Sequence, residues 1–265
     1  MPRWLKQVED VIAGRRRYAL IQGDCLDVGR KMPEGVFDSC AIAPPYGMAY
    51  TGWEGKRPPI ANDKAPFIWW LHDAYRALKP TAALACFCNW KNQEAFRFAI
   101  EIARFSVRSH VVWDRMNGGM GHTGMTFAPR HDVVWFATKG RFRFPHGRPD
   151  SVLPVAKVPT RQLQHSTQKP DELMRRLVHS ITPTGGIVYD PTMGSGSTGV
   201  AAVAQGYRFV GVEMDADNYA TAQRRLREAE HLANSKTKPS LARRPHAVAR
   251  RPIHYTPTRE LAPCH

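Results

Sequence analysis

Two short stretches of the chain carry residue types whose spacing could do chemistry. The first covers residues 187–199, Ile-Val-Tyr-Asp-Pro-Thr-Met-Gly-Ser-Gly-Ser-Thr-Gly, and runs on into Val-Ala-Ala-Val-Ala. Its apolar start reads as a buried strand, its glycines as a turn and its end as a helix. Gly194, Gly196 and Gly199 would let a backbone approach a nucleotide closely. Glu213 closes the next apolar run 19 residues after Gly194, where an acid that binds a ribose belongs. The same glycines would also serve a tight strand-to-helix turn with no ligand. No lysine follows them, which argues against a triphosphate loop, because that lysine is what reaches the β and γ phosphates. Asp190 stands where a dinucleotide site usually has small apolar residues. Its charge would repel a pyrophosphate and suits a cationic ligand, such as the sulfonium and ammonium of S-adenosylmethionine.

The second stretch is Ala43-Pro44-Pro45-Tyr46, at the end of the mostly apolar run 36–42. Taken with Thr167-Gln168-Lys169-Pro170 and residues 190–199, it resembles the amino-group DNA methyltransferases, whose catalytic motif is Asp, Asn or Ser followed by Pro-Pro-Tyr. The catalytic motif precedes the cofactor glycines here, which is the order of the permuted β class. The resemblance covers about residues 18–226 and departs from the family at Ala43. It implies an α/β, Rossmann-like fold on a seven-stranded sheet, mostly parallel with one antiparallel hairpin. It also implies S-adenosylmethionine as cofactor. Asp24, with Cys25 beside it, would meet the adenine, and Gln168 and Lys169 the methionine part. Asp190, Thr192, Gly194, Gly196, Ser197 and Glu213 would surround the rest. A helix N-cap remains the other reading of Asp24.

The chemistry that follows is methyl transfer to an exocyclic amine, whose lone pair is delocalised into the base. Acceptors must hold the N–H groups while proximity aligns the nitrogen with the methyl donor. In family terms a carbonyl in Pro44-Pro45 accepts one N–H and the residue at 43 the other. Tyr46 stacks on a base that has left the duplex. Ala43 accepts nothing through its methyl group, and losing one such partner costs roughly 10² to 10³ in rate. With every other motif intact, Ala43 reads as a knockout of the acceptor. Gly47 after the tyrosine favours N6 of adenine; N4 of cytosine and a non-catalytic, cofactor-dependent DNA-binding protein are the alternatives.

The elements that must position these residues are legible from apolar runs. Strands are expected near residues 20, 39, 85, 111, 135, 188 and 210, and helices over 1–17, from Phe67 to Leu78 with Pro80 as the stop, over 93–105, after Pro170, and around Tyr219, Ala222 and Leu226. The runs near 111 and 135 have no helix between them and should pair antiparallel. Three stretches without period, 47–64, 114–130 and 138–165, are expected to face DNA. Arg130, Arg141, Arg143 and Arg148 are the candidate contacts, the last three in a stretch of six basic residues, one acid and two phenylalanines. His131 could be a base, though a histidine at a strand start is usually structural.

Composition points the same way. The 265 residues suffice for one α/β domain, expected over 1–231, followed by a basic tail over 232–265 with five prolines, expected to be disordered. A net charge of +15 and a pI near 10.0 call for a polyanionic partner, double-stranded DNA in the first place. Cys25, Cys40, Cys86, Cys88 and Cys264 lack zinc spacing, so no metal is expected and a reducing compartment is. No apolar run reaches membrane length, which makes the cytoplasm the expected location. A homodimer is left open.

Overall fold

In the computed structural model the described residues are 2–49, 60–117, 124–159, 161 and 168–236. They build one eight-stranded sheet in the order β1-β8-β7-β2-β3-β5-β4-β6. Its strands are β1 (Tyr18–Gln22), β2 (Phe37–Ile42), β3 (Leu78–Cys88), β4 (Ser106–Asp114), β5 (His131–Thr138), β6 (Val152–Pro154), β7 (Ile187–Asp190) and β8 (Arg208–Glu213). All seven expected strands are present, and β6 is an eighth that the sequence did not announce. Only β5 runs against its neighbours, pairing antiparallel with both β3 and β4. Its start therefore lies at the edge where the parallel strands end.

Alternation along the strands feeds two cores. Cys40, Ile42, Leu84, Cys86 and Cys88 point to one face, against α1 (Arg3–Ile12), α2 (Cys25–Gly29), α3 (Leu71–Ala77) and α4 (Gln93–Ile102). Ala41, Ala83, Ala85 and Phe87 point to the other, against α5 (Asp171–Ile181), α6 (Ser197–Ala204) and α7 (Ala216–Lys236). The alanines let this helical layer come close. At Gly199 of α6 an added Cβ would meet the Phe209 ring at 2.6 Å, so only glycine allows α6 to lie on β8 as it does.

Three boundaries differ from the sequence reading. The first helix ends at Ile12 rather than near Arg17. The third starts at Leu71 and gives way to strand at Leu78, so Pro80 sits inside β3 instead of ending a helix before it. The proline is tolerated because the β2–β3 register shifts between Phe37–Leu78 and Ser39–Ala83, leaving it outside the ladder. The last helix runs to Lys236, past the expected tail start at 232. The rest of that tail, most of the 47–64 stretch, Gly118, Gly119, Gly121 and Thr167 lie outside the described residues.

Candidate active site

The chemistry-bearing residues gather where the parallel strands end, the edge at which open α/β sheets bind ligands. β2 delivers Ala43 to Tyr46, β7 Asp190 and the glycine turn, β8 Glu213 and β1 Asp24. β7 lies between β2 and β8, so the catalytic motif and the glycine turn are neighbours. Gly194 has φ +52° and open space where a Cβ would stand, leaving its backbone accessible to a ligand. Glu213 braces this turn: its Oε2 accepts from Gly194 N–H at 2.9 Å and its Oε1 from Asp215 N–H at 2.8 Å. Burial raises its pKa, and those backbone donors oppose the rise.

Asp190 is 2% exposed and accepts from Thr192 N–H at 3.1 Å. Burial pushes its pKa up to about 7, against the pull of Thr198 and the Thr192 N–H. The Thr192 hydroxyl is buried and has no hydrogen-bond partner among the described residues. Ser197 begins α6, and its Oγ accepts from Arg225 at 3.1 Å, so it belongs to the frame behind the turn. Asp24 caps α2, its Oδ1 accepting from Leu26 N–H at 2.7 Å. The cap reading of Asp24 is thus present in the structure. Cys25 is buried, which lifts its thiol to about 12 and keeps it protonated.

Around Tyr46 the backbone is pinned by residues the sequence reading passed over. Asn92 Nδ2 donates to Tyr46 O at 2.7 Å, and Asp63 Oδ1 accepts from Gly47 N–H at 2.7 Å and Met48 N–H at 3.2 Å. Phe67 N–H takes the Pro45 carbonyl at 3.2 Å, so of the two proline carbonyls that of Pro44 is the one without such a partner among the described residues. Gly47 has φ +76°, and a Cβ there would fall 2.4 Å from Pro66 N. Packing therefore explains this glycine whichever base is methylated. Ala43 is half-buried beside the turn.

Lys169, expected at the methionine end of the cofactor, lies among aromatic rings. Its Nζ lies 5.2 Å from the ring centroids of Tyr46 and Phe87 and 5.7 Å from that of Trp113, on the side of β2 away from the glycine turn. Burial lowers its pKa, while Asp132 favours its charge. Pro170, just after it, is the N-cap of α5, and Gln168 is half-buried beside it.

The candidate DNA contacts do not fall together. Arg130 is at the catalytic edge, exposed and held to Asp114 by two bonds of 2.8 Å. Arg141 and Arg143 line a cavity of about 850 Å³ with Arg108, Phe136, Phe142 and Phe144. That cavity is at the other end of β5, five residues beyond Val133, roughly 17 Å away at about 3.3 Å per residue. Arg148 lies on the connection from there to β6. The stretch 138–165, expected to face DNA, begins at the far edge and comes back to the catalytic edge through β6 and Val155, whose N–H donates to Asp114 O at 3.0 Å. His131 is exposed and, by alternation, on the opposite face of β5 from Asp132.

Residues 37–224 match the N6/N4 methyltransferase family model, described as a DNA methylase. The chain belongs to that family. It is 33% identical over 211 residues to YubD of Escherichia coli (strain K12), a methylase by name alone, covering 78% of this chain and 88% of that one. Type II methyltransferase M.HinfI of Haemophilus influenzae is 23% identical over 251 residues, covering 81% and 70%. Among solved structures, the M1.HpyAVI–SAM complex superposes with a TM-score of 0.63 at 20% identity, over 79% of this chain and 99% of that one. The PvuII cytosine-N4-specific enzyme gives 0.62 at 14%, over 83% and 92%. Membership of this DNA methylase family carries S-adenosylmethionine as cofactor. The glycine turn fits it, with an open Gly194, an orphaned Thr192 hydroxyl and a buried carboxylate facing a ligand that brings positive charge.

Proposed function

We propose that this DNA methylase is a site-specific adenine-N6 methyltransferase acting on double-stranded DNA, slowed by Ala43. The observation that carries the reading is the juxtaposition of Tyr46 and the glycine turn on adjacent strand ends. The bound cofactor supplies an electrophilic methyl group. The chain does the rest: Tyr46 offers a ring to a base rotated out of the duplex, and the Pro44 carbonyl accepts one amine N–H. Asn92 and Asp63 hold that segment in place. Glu213 fixes the Gly194 turn and takes the ribose with its remaining lone pairs, and Asp24 meets the adenine of the cofactor. Arg130 and the 47–64 and 114–130 stretches contact DNA beside the site. The catalytic motif precedes the cofactor turn in the chain, as in the permuted β class, and the protein acts in the cytoplasm.

The test is sequencing of genomic DNA for modified bases after expression of the parent and of Ala43→Asp. Restoring the acceptor should raise N6-methyladenine by roughly two orders of magnitude, with cofactor affinity unchanged. N4-methylcytosine in its place would overturn the adenine reading. Cofactor binding without product on any DNA from either chain would leave a cofactor-dependent DNA-binding protein.

A further inference from the structure

A second group of side chains converges on the catalytic edge without belonging to any motif above. Trp113 pairs in register with Asp132, and Phe87 with Val134. Alternation then puts Phe87, Trp113, Arg115 and Asp132 on the sheet face that Ala43 and Tyr46 also join. Arg115 and Asp132 stand 3.7 Å apart, their side chains only 12% and 14% exposed. Arg115 also donates to Pro129 O at 2.7 Å. Two polar atoms in this group, Tyr46 Oη and Arg115 Nε, are buried and have no partner among the described residues. Buried polar atoms are nearly always paired, so orphans beside ring walls mark where the polar edge of a ligand fits.

We propose that these residues form a reader for the Watson–Crick edge of an amino base, in which Arg115 Nε donates to the ring nitrogen beside the exocyclic amine and the Asp132 carboxylate faces the place of that amine and repels a keto oxygen there, while the amine N–H bonds stay with the Pro44 carbonyl and the acceptor position at 43. This rests on the function proposed above and adds the residues that choose the base. Adenine and cytosine both present an amine donor next to a bare ring nitrogen. Guanine and thymine present a keto oxygen next to a ring N–H, which would set oxygen against Asp132 and N–H against Arg115. Tyr46, Phe87 and Trp113 supply the apolar walls. The Lys169 ammonium, held among those three rings by cation–π attraction, keeps the place of the base and yields it to an aromatic ring.

The experiment compares binding of two duplexes that differ only at the base the enzyme marks: adenine against hypoxanthine, or cytosine against uracil. The marked position is mapped by sequencing with the parent, or with Ala43→Asp where the parent leaves too little product. The parent should prefer the amino base by about ten- to a hundredfold. In Asp132→Asn the amide can turn its NH₂ towards a keto oxygen while the ring N–H still faces Arg115, so the preference should fall by at least about threefold with cofactor affinity at the parent value. Should that variant fail to fold, Arg115→Lys retains the charge beside Asp132 but loses Nε, and should lower affinity for the amino-base duplex by about tenfold. A parent that does not discriminate, an Asp132→Asn protein that keeps the full preference, or an Arg115→Lys protein of parental affinity overturns the proposal and leaves the methyltransferase reading standing. If neither chain marks any DNA, the reading of function falls and takes this one with it.

Discussion

Asp190 should make cofactor binding depend on pH in a way that the structure quantifies. In the free protein its carboxyl, 2% exposed, titrates at about 7 because burial disfavours the charge. A ligand carrying sulfonium and ammonium groups favours the ionised form and pulls that pKa down. Below about pH 7 binding must therefore expel a proton, and above it the carboxylate is already charged. The sign is fixed: affinity rises with pH through this window and levels off above it. If binding requires the ionised form, the penalty is about elevenfold at pH 6 and about 1.1-fold at pH 8, from one proton on a group of pKa about 7. The expected gain between the two is therefore about tenfold. Calorimetry at both pH values, in buffers of different ionisation enthalpy, reads the affinity and the released proton together. Asp190→Asn controls for titration of the ligand's own amine and should remove the protein's share of the dependence. A flat affinity with no proton release, or the same pH profile in Asp190→Asn, would refute the assignment of this carboxyl to the cofactor.

Two further outcomes test the same architecture. Glu213→Ala removes an acceptor shared by two backbone N–H groups and the ligand's proposed anchor. Since a hydrogen bond to a charged group is worth about 1.5 to 3 kcal/mol, calorimetry should show at least a roughly tenfold loss of cofactor affinity, and unchanged affinity would remove Glu213 from the site. Truncation after Lys236 deletes six basic residues and one acid; DNA affinity should then fall mainly at low salt, with a shallower salt slope and the same preferred sequence. Loss of the preferred sequence on truncation would assign the tail to recognition.

The strands were legible because each buried run has the length and apolar content that a sheet interior demands, and the site followed because its motifs sit at strand ends. What stayed hidden has physical reasons. β6 is three residues, Val152–Pro154, too short to show alternation. Pro80 reads as a helix stop until the register shift beside it is known. Asn92 and Asp63 are far from Tyr46 in the chain and reach it only through the fold. Arg115 and Asp132 carried a usable signal: a cation two residues after Trp113 and an acid one residue into the next strand must share a face across an antiparallel pair. The far-edge position of Arg141 and Arg143 could have been found the same way, because a strand reversed against its neighbours carries its C-terminal residues to the opposite edge.

The clamp at the foot of the β4–β5 connection isolates the length of that connection from the sheet that carries it. Arg115 N–H donates to Arg130 O at 2.9 Å, and the Arg130 guanidinium grips the Asp114 carboxylate with two bonds. The stretch between them leaves and rejoins the sheet at one closed point, like a cartridge in a socket. Lengthening it adds only about 0.6 kcal/mol of closure entropy per doubling, and no strand or core residue has to shift. The cofactor site, anchored on β7 and β8, is separated from this clamp by β2 and β3, so a change of length in the connection need not reach it.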